Sequence, residues 1–266
     1  MNDEENFFKP LQPTFSHLTL KASYSLTADR GPSSITNSTS IFQAYNPYRP
    51  FSSDKESGIA LYQTGNDELT YEKKHELNLG IDAGFLNNRI NVTFDVYRRN
   101  NYDLIGVVTT QGINREVSSY GNVASMKSHG EELSISTTNI KNKDFSWTTN
   151  FIYSHAVNEV TDLMSKASTM DYIQGSGFAK KGYPVRALFS IPFVGLSEDG
   201  YPMFINDKGN VTVGDINFQE RENNDYLKYE GPTDPVYTGS LGNIFTYKGF
   251  RLNLFITYSF GKERGC

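Results

Sequence analysis

The chain has 266 residues, 37% hydrophobic and 21% charged, which fits neither a disordered polymer nor a bundle of membrane helices. A formal net charge of -5 gives no general hold on phosphate backbones, so nucleic acid is excluded as a partner. No run approaches the roughly 18 apolar residues of a spanning helix, and the single cysteine, Cys266, can close no internal disulfide. Met1 to Pro13 does not read as a signal peptide, so the chain is expected either to stay in the cytosol or to lack its natural N-terminal end. Aromatic content is the unusual figure, at 14%, with 17 Tyr, 18 Phe and one Trp.

In chain order, the first element is a run in which Leu18, Leu20, Ala22, Tyr24 and Leu26 alternate with Thr19, Lys21, Ser23 and Ser25. A period of two marks a strand with two different faces. The pattern returns at His75 to Phe85, where Leu77, Leu79, Ile81, Ala83 and Phe85 alternate with Glu76, Asn78, Gly80, Asp82 and Gly84. After Leu86-Asn87-Asn88-Arg89 it restarts, with Ile90, Val92, Phe94 and Val96 opposed to Asn91, Thr93, Asp95 and Tyr97. Two such runs across a short Asn-rich turn predict a hairpin. A second hairpin is predicted from Leu133, Ile135 and Thr137, alternating with Glu132, Ser134 and Ser136, followed beyond Asn139 to Asp144 by Phe145, Trp147, Thr149, Phe151 and Tyr153. Thr148 and Asn150 fall on the opposite face of that last strand. The final pair joins Tyr237 to Tyr247, where Leu241, Asn243 and Phe245 share a side, to Phe250, Leu252, Leu254, Ile256 and Tyr258 across Lys248-Gly249. About seven strands result.

The connections carry more than the strands. Tight turns at 86–89, 140–144 and 248–249 alternate with long links at 27–73, 100–128 and 156–236, so short and long ends fall on opposite edges of the sheet. Outer-membrane barrels pair short periplasmic turns with long extracellular loops in this way. The runs at 75–85, 90–99 and 145–155 also have the length, about ten residues, of a tilted membrane strand. Phe85, Tyr97, Phe145, Trp147, Tyr153, Tyr247, Phe250 and Tyr258 lie toward strand ends, as girdle aromatics do. The expectation is therefore an all-β chain forming an antiparallel transmembrane β-barrel segment. Its lipid-facing residues would be Leu77, Leu79, Ile81, Ile90, Val92, Phe94, Val96, Trp147, Phe151, Leu252, Leu254 and Ile256. Its lumen-facing residues would be Asn78, Asp82, Asn91, Asp95, Ser134, Ser136, Thr148 and Asn150. A soluble, secreted β-sandwich that binds carbohydrate is the alternative that composition allows.

Motifs for chemistry are absent from this pattern. His17, His75, His129 and His155 have no ligand spacing and read as structural. Gly175-Ser176-Gly177 with Lys180-Lys181-Gly182 lacks the ending of a phosphate loop and reads as a flexible loop. Asn206-Asp207-Lys208-Gly209-Asn210 lacks calcium-loop spacing and reads as a solvated hairpin turn, and Asp215 to Glu230 reads as a charged loop. The glycosylation sequons at Asn37, Asn91 and Asn210 read as coincidental. No catalytic residue, cofactor or metal is expected, and the chain is not read as an enzyme.

Several segments resemble the SusC/RagA group of TonB-dependent outer-membrane transporters of Bacteroidota. The resemblance rests on Leu20-Lys21-Ala22-Ser23-Tyr24-Ser25, on Leu69 to Arg89 with its Leu79-Gly80-Ile81-Asp82-Ala83-Gly84-Phe85-Leu86-Asn87-Asn88-Arg89 ending, and on Phe94-Asp95-Val96-Tyr97 through Ile105. Gly121-Asn122-Val123-Ala124-Ser125-Met126, then His129-Gly130-Glu131-Glu132-Leu133, Gly182-Tyr183-Pro184-Val185 and Tyr247-Lys248-Gly249-Phe250 follow in the family's order. Arg186 departs from the glycine the family often has there, and Asn206 to Asn210 replaces an acidic, glycine-rich loop. The resemblance implies that residues 1–266 are part of a 22-stranded barrel, not closed on its own, with signal peptide, plug domain and C-terminal strands absent. It also implies uptake of oligosaccharides, and in some members peptides, through a barrel capped by a SusD-like lipoprotein and driven through TonB by way of the missing N-terminal part.

Overall fold

The computed structural model describes residues 9–11, 14–31, 40–46, 57–63, 65–109 and 118–264; Asn37 and Cys266, considered above, and residues 1–8 lie outside them. In chain order the strands are β1 (Phe15–Asp29), β2 (Ile41–Tyr45), β3 (Gly58–Gln63), β4 (Glu72–Phe85), β5 (Ile90–Thr109), β6 (Ser118–Lys141) and β7 (Phe145–Leu163). After a one-turn helix, α1 (Thr169–Tyr172), come β8 (Ala187–Ser190), β9 (Phe193–Leu196), β10 (Pro202–Ile205), β11 (Val211–Thr212), β12 (Lys228–Pro232), β13 (Tyr237–Tyr247) and β14 (Phe250–Phe260).

Seven of these form one antiparallel sheet in the order β1-β4-β5-β6-β7-β13-β14, with β1 and β14 as open edges. The register follows from the alternation. A slip by one residue would send every apolar side chain to the wrong face, and the observed pairs match like with like: Leu20 with Ile81, Leu79 with Val96, Ile135 with Phe151, Leu241 with Ile256. The Lys248-Gly249 turn has φ of 42° and 91°, the left-handed pair that joins twisted strands in two residues. The turn after β4 takes Leu86, Asn87 and Asn88 to φ of 52°, 57° and 60°. Asparagine tolerates that region, and the turn is held by Asn88, whose N–H donates to Ser16 Oγ and whose side-chain oxygen meets His17 Nδ1 at 2.8 Å.

The sandwich alternative is not what forms. A sandwich needs a second sheet about 10 Å away to cover the apolar face. Here Leu79, Ile81, Leu254 and Ile256 stay 43% to 65% exposed, and the smaller sheets have only two or three strands.

All three long links are partly strand, and 27–73 holds the β2–β3 pair. β5 and β6 run for 20 and 24 residues, so most of 100–128 stands up as a hairpin beyond the shorter strands. Asp103, at φ 57°, sits in a bulge between Asn101 and Leu104, which breaks the alternation in sequence while the ladder resumes at Leu104 with Ala124. Asn122 braces the site: its amide donates to the carbonyls of Thr70 (2.9 Å) and Asp103, and its oxygen accepts from the Thr70 N–H.

The main buried core lies outside the large sheet. Between β7 and β13, Ala167, Tyr172, Ala187, Phe189 and Leu227 pack together, with Phe178, Tyr183 and Tyr226 against them. This link is thus a folded domain. Ser168 caps α1 through a reciprocal bond pair with Asp171, whose carboxyl is held below the usual range by the Ser168 N–H and hydroxyl. The segment read as a flexible loop is packed: Lys180 Nζ lies 5.5 to 5.8 Å from the ring centres of Phe189, Tyr172 and Tyr183 and donates to the Asn224 carbonyl at 2.9 Å. Asn206 to Asn210 does turn a hairpin, between β10 and β11, but Asn206 is buried rather than solvated: its oxygen accepts from the N–H groups of Lys208 and Asn210. Within the charged stretch, Glu220 accepts from the N–H groups of Arg221, Glu222 and Asn223, which holds its carboxyl low.

Candidate functional site: two faces of one sheet

Register assigns every residue of the large sheet to a face. Asn78 pairs with Tyr97, Asp82 with Thr93, Asn91 with Ser136, Ser134 with both Thr93 and Ile152, and Ser136 with Asn150. All eight residues expected in the lumen, Asp95 and Thr148 among them, therefore share one face. The twelve expected against lipid share the other, where Ala83 pairs with Val92, Ile81 with Phe94 and Phe245 with both Trp147 and Leu252.

The first face carries paired charge. Arg99 grips Glu76 with two bonds of 3.0 and 3.2 Å, Lys74 reaches the same carboxylate, and Asn78 donates to it at 3.2 Å. Lys21 forms an ion pair with Asp82. Lys21, Glu76, Asn78 and Arg99 line an open depression with Asp95 and Glu132. Tyr97 is also here, not with the strand-end aromatics: its ring occupies the space over Gly130 on the next strand, and the Arg99 guanidinium sits 5.4 Å from the ring centre. Asp95 likewise takes the space left by Gly80. The alternation placed Lys21, Glu76 and Tyr97 on this side, yet the cluster was not anticipated, because Arg99 lies in what read as the end of a strand.

The second face is apolar between two borders. At the short-turn end stand Phe85, Phe145, Trp147, Tyr247 and Phe250, with Trp147 stacked on Phe245 at 5.6 Å. At the long-loop end stand Tyr24, Tyr153, Tyr237 and Tyr258, followed by Arg98, Glu131 and His155. The His155 ring stacks on Tyr237, with Nδ1 3.2 Å from Glu131. The Leu77 and Ile90 faces, read as free of charge, therefore end in charge at this border, since Arg98 pairs with Leu77. From Leu77 to Phe85 the strand rises about 26 Å, or about 20 Å across a membrane at the tilt usual in barrels. A polar cluster of Thr137, Asn139, Thr149 and Asn243 interrupts the band. Asn243 accepts from Trp147 Nε1 at 2.9 Å and from Thr149 Oγ1 at 2.8 Å, and Asn139 donates to Thr149 in turn. Among the described residues no cluster of His, Cys, Asp or Glu could hold a metal ion.

Residues 10–264 match the family described as TonB dependent receptor-like, beta-barrel. The chain belongs to that family. A protein named TonB-dependent receptor P3, from Formosa agariphila, is 26% identical over 98% of this chain and 27% of its own length. TonB-dependent receptor SusC of Bacteroides thetaiotaomicron is 27% identical over 97% of this chain and 27% of its own. Among solved structures, the RagAB peptide transporter superposes with a TM-score of 0.73 at 25% identity, covering 96% of this chain and 28% of that one. The chain thus spans about a quarter of the length of these relatives. The family is one of outer-membrane barrels, so the cytosolic alternative is replaced by an outer-membrane location, and the family's members are transporters and receptors rather than enzymes.

Proposed function

We propose that this sheet is an arc of the wall of a larger TonB-dependent barrel that imports oligosaccharide or peptide with a SusD-like lipoprotein partner. The observation that carries the reading is the pair of opposed faces. A bare apolar band bordered by aromatics suits lipid, and a charged, hydrogen-bonding face suits a water-filled lumen. On this reading Leu77, Val92, Phe94 and Leu254 meet acyl chains, while Asn78, Asp82, Asp95 and Ser134 line the passage. The ion pairs of the lumen face are mutually satisfied, which favours weak, multiple contacts with a passing polar ligand over one tight site. The likeness to the RagAB peptide transporter supports the peptide class, and the sequence resemblance supports the oligosaccharide class.

The test is uptake by cells carrying the gene in its full natural length, offered labelled oligosaccharides and labelled peptides. Uptake of one class, lost on gene deletion and on removal of TonB, is the expected result. Uptake of both classes unchanged by either lesion would sink the proposal.

A further inference from the structure

At the short-turn end, Arg89, Lys141, Lys143 and Lys248 face solvent beside Asp144, the single carboxylate of these turns among the described residues, in a chain whose formal net charge is -5. None of the four has an ion-pair partner among the described residues. The long-loop end is mixed: Lys73, Lys127, Lys166, Lys181, Arg186 and Lys228 each lie within 3.1 Å of a carboxylate, while Arg98, Lys208 and Arg221 stand among the many acidic residues of that end.

The cationic rim is built rigidly. The Arg89 guanidinium spans the carbonyls of Thr138 and Asn139 at 2.7 to 3.2 Å, which leaves its charge uncompensated. The Thr138 N–H returns a bond to the Arg89 carbonyl, the Asn142 N–H donates to the Phe145 carbonyl, and the Lys248 N–H reaches the Asp144 carbonyl. Neighbouring turns are thereby laced together. Directly beside them on the apolar face stand Phe145, Trp147, Tyr247 and Phe250, and Lys248 Nζ lies 5.4 Å from the Tyr247 ring centre. Aromatic rings of this kind settle at headgroup depth, which puts the four cations level with lipid phosphates.

We propose that this rim docks anionic phospholipid headgroups of the leaflet that faces the short turns. The proposal rests on the apolar face being the lipid face. Unpaired cations beside an acyl-chain surface match phosphodiester headgroups in charge, and their attraction to an anionic leaflet is worth roughly fivefold in affinity per cation. The same rim distinguishes the two ends of the sheet, because at the long-loop end most lysines are paired and carboxylates such as Asp67, Glu68, Glu198, Asp199 and Asp215 would repel an anion.

The test uses the protein in its full natural length in nanodiscs made from equal parts of phosphatidylethanolamine and phosphatidylglycerol, with retained lipids counted by native mass spectrometry. The wild type should keep phosphatidylglycerol preferentially, and less so in high salt. Lys141→Gln, Lys143→Gln and Lys248→Gln combined should cut that preference about tenfold or more, leaving Arg89 to hold its carbonyls. Lys73→Gln, Lys166→Gln and Lys181→Gln combined should leave it unchanged. A heat-modifiable band on gels establishes that each variant is folded. Equal preference in wild type and rim variant, or equal loss in both triple variants, would overturn the proposal. Failure of the wild type to insert would overturn the lipid-face assignment and this proposal together.

Discussion

The Tyr258 hydroxyl donates to the Ile152 carbonyl at 3.2 Å, so a side chain on β14 reaches β7 across the whole width of β13. It crosses at Gly239, where an added Cβ would overlap both the Tyr258 ring and that carbonyl. An aromatic lying over a cross-strand glycine pins register while covering exposed backbone. Gly239→Ala should therefore destabilise the barrel by about 1 to 3 kcal/mol through overpacking, and Tyr258→Phe by about 1 kcal/mol through the lost bond. The check is the temperature at which the full-length protein loses its compact band on gels. An unshifted Gly239→Ala variant would refute the overlay.

Val92 and Thr93 are adjacent and lie on opposite faces. A lysine at mid-depth on a lipid face costs about 2 to 4 kcal/mol, whereas a lumen position is tolerant. Val92→Lys in the full-length protein should sharply reduce assembled, protease-resistant barrel, and Thr93→Lys should not. Equal assembly of the two would count against a lipid-facing Val92.

Lys180 holds the domain between β7 and β13 by threading its ammonium among three rings to the Asn224 carbonyl and Asp225. Lys180→Met keeps the stem but loses the charge-assisted bond, leaving the carbonyl unmet. The expected loss is about 1 to 3 kcal/mol of local stability. Hydrogen exchange should report it as faster exchange at 172–189 and 220–227, with the large sheet unchanged.

That domain should also loosen in acid. Asp171 and Glu220 are both held below their ordinary values by N–H donors. A carboxylate lowered on folding adds stability that is complete above its unfolded value, about 4, and is lost as pH falls through the lower folded value. Exchange at 168–173 and 220–224, corrected for intrinsic rates, should be flat from pH 7 to about pH 5 and rise below about pH 4. Asp171→Asn should flatten the rise at the helix alone. A rise centred near neutrality would contradict the assignment.

The sheet was legible because each strand declares its faces locally: Leu77 to Phe85 needs no partner to be read. What escaped notice depends on distant partners. Asn243 reads as a flaw in an apolar face until Trp147, 96 residues away, is found on its oxygen. Lys180 reads as part of a flexible loop, since nothing nearby in sequence announces rings at 172 and 189. Asn206 lies in a turn that composition marks correctly, but its burial depends on Asp215, whose carbonyl accepts its amide. The height of β5 and β6 was missed for a local reason, because the bulge at Asp103 breaks the very periodicity used to recognise strands.

The strands on either side of the folded link, β7 and β13, are hydrogen-bonded neighbours, and the link's core is drawn from residues between them. It can therefore be exchanged as a cassette, grafted from one relative to another without re-registering a single strand pair. A change of length or sequence inside the link would leave the β7–β13 ladder's register in place.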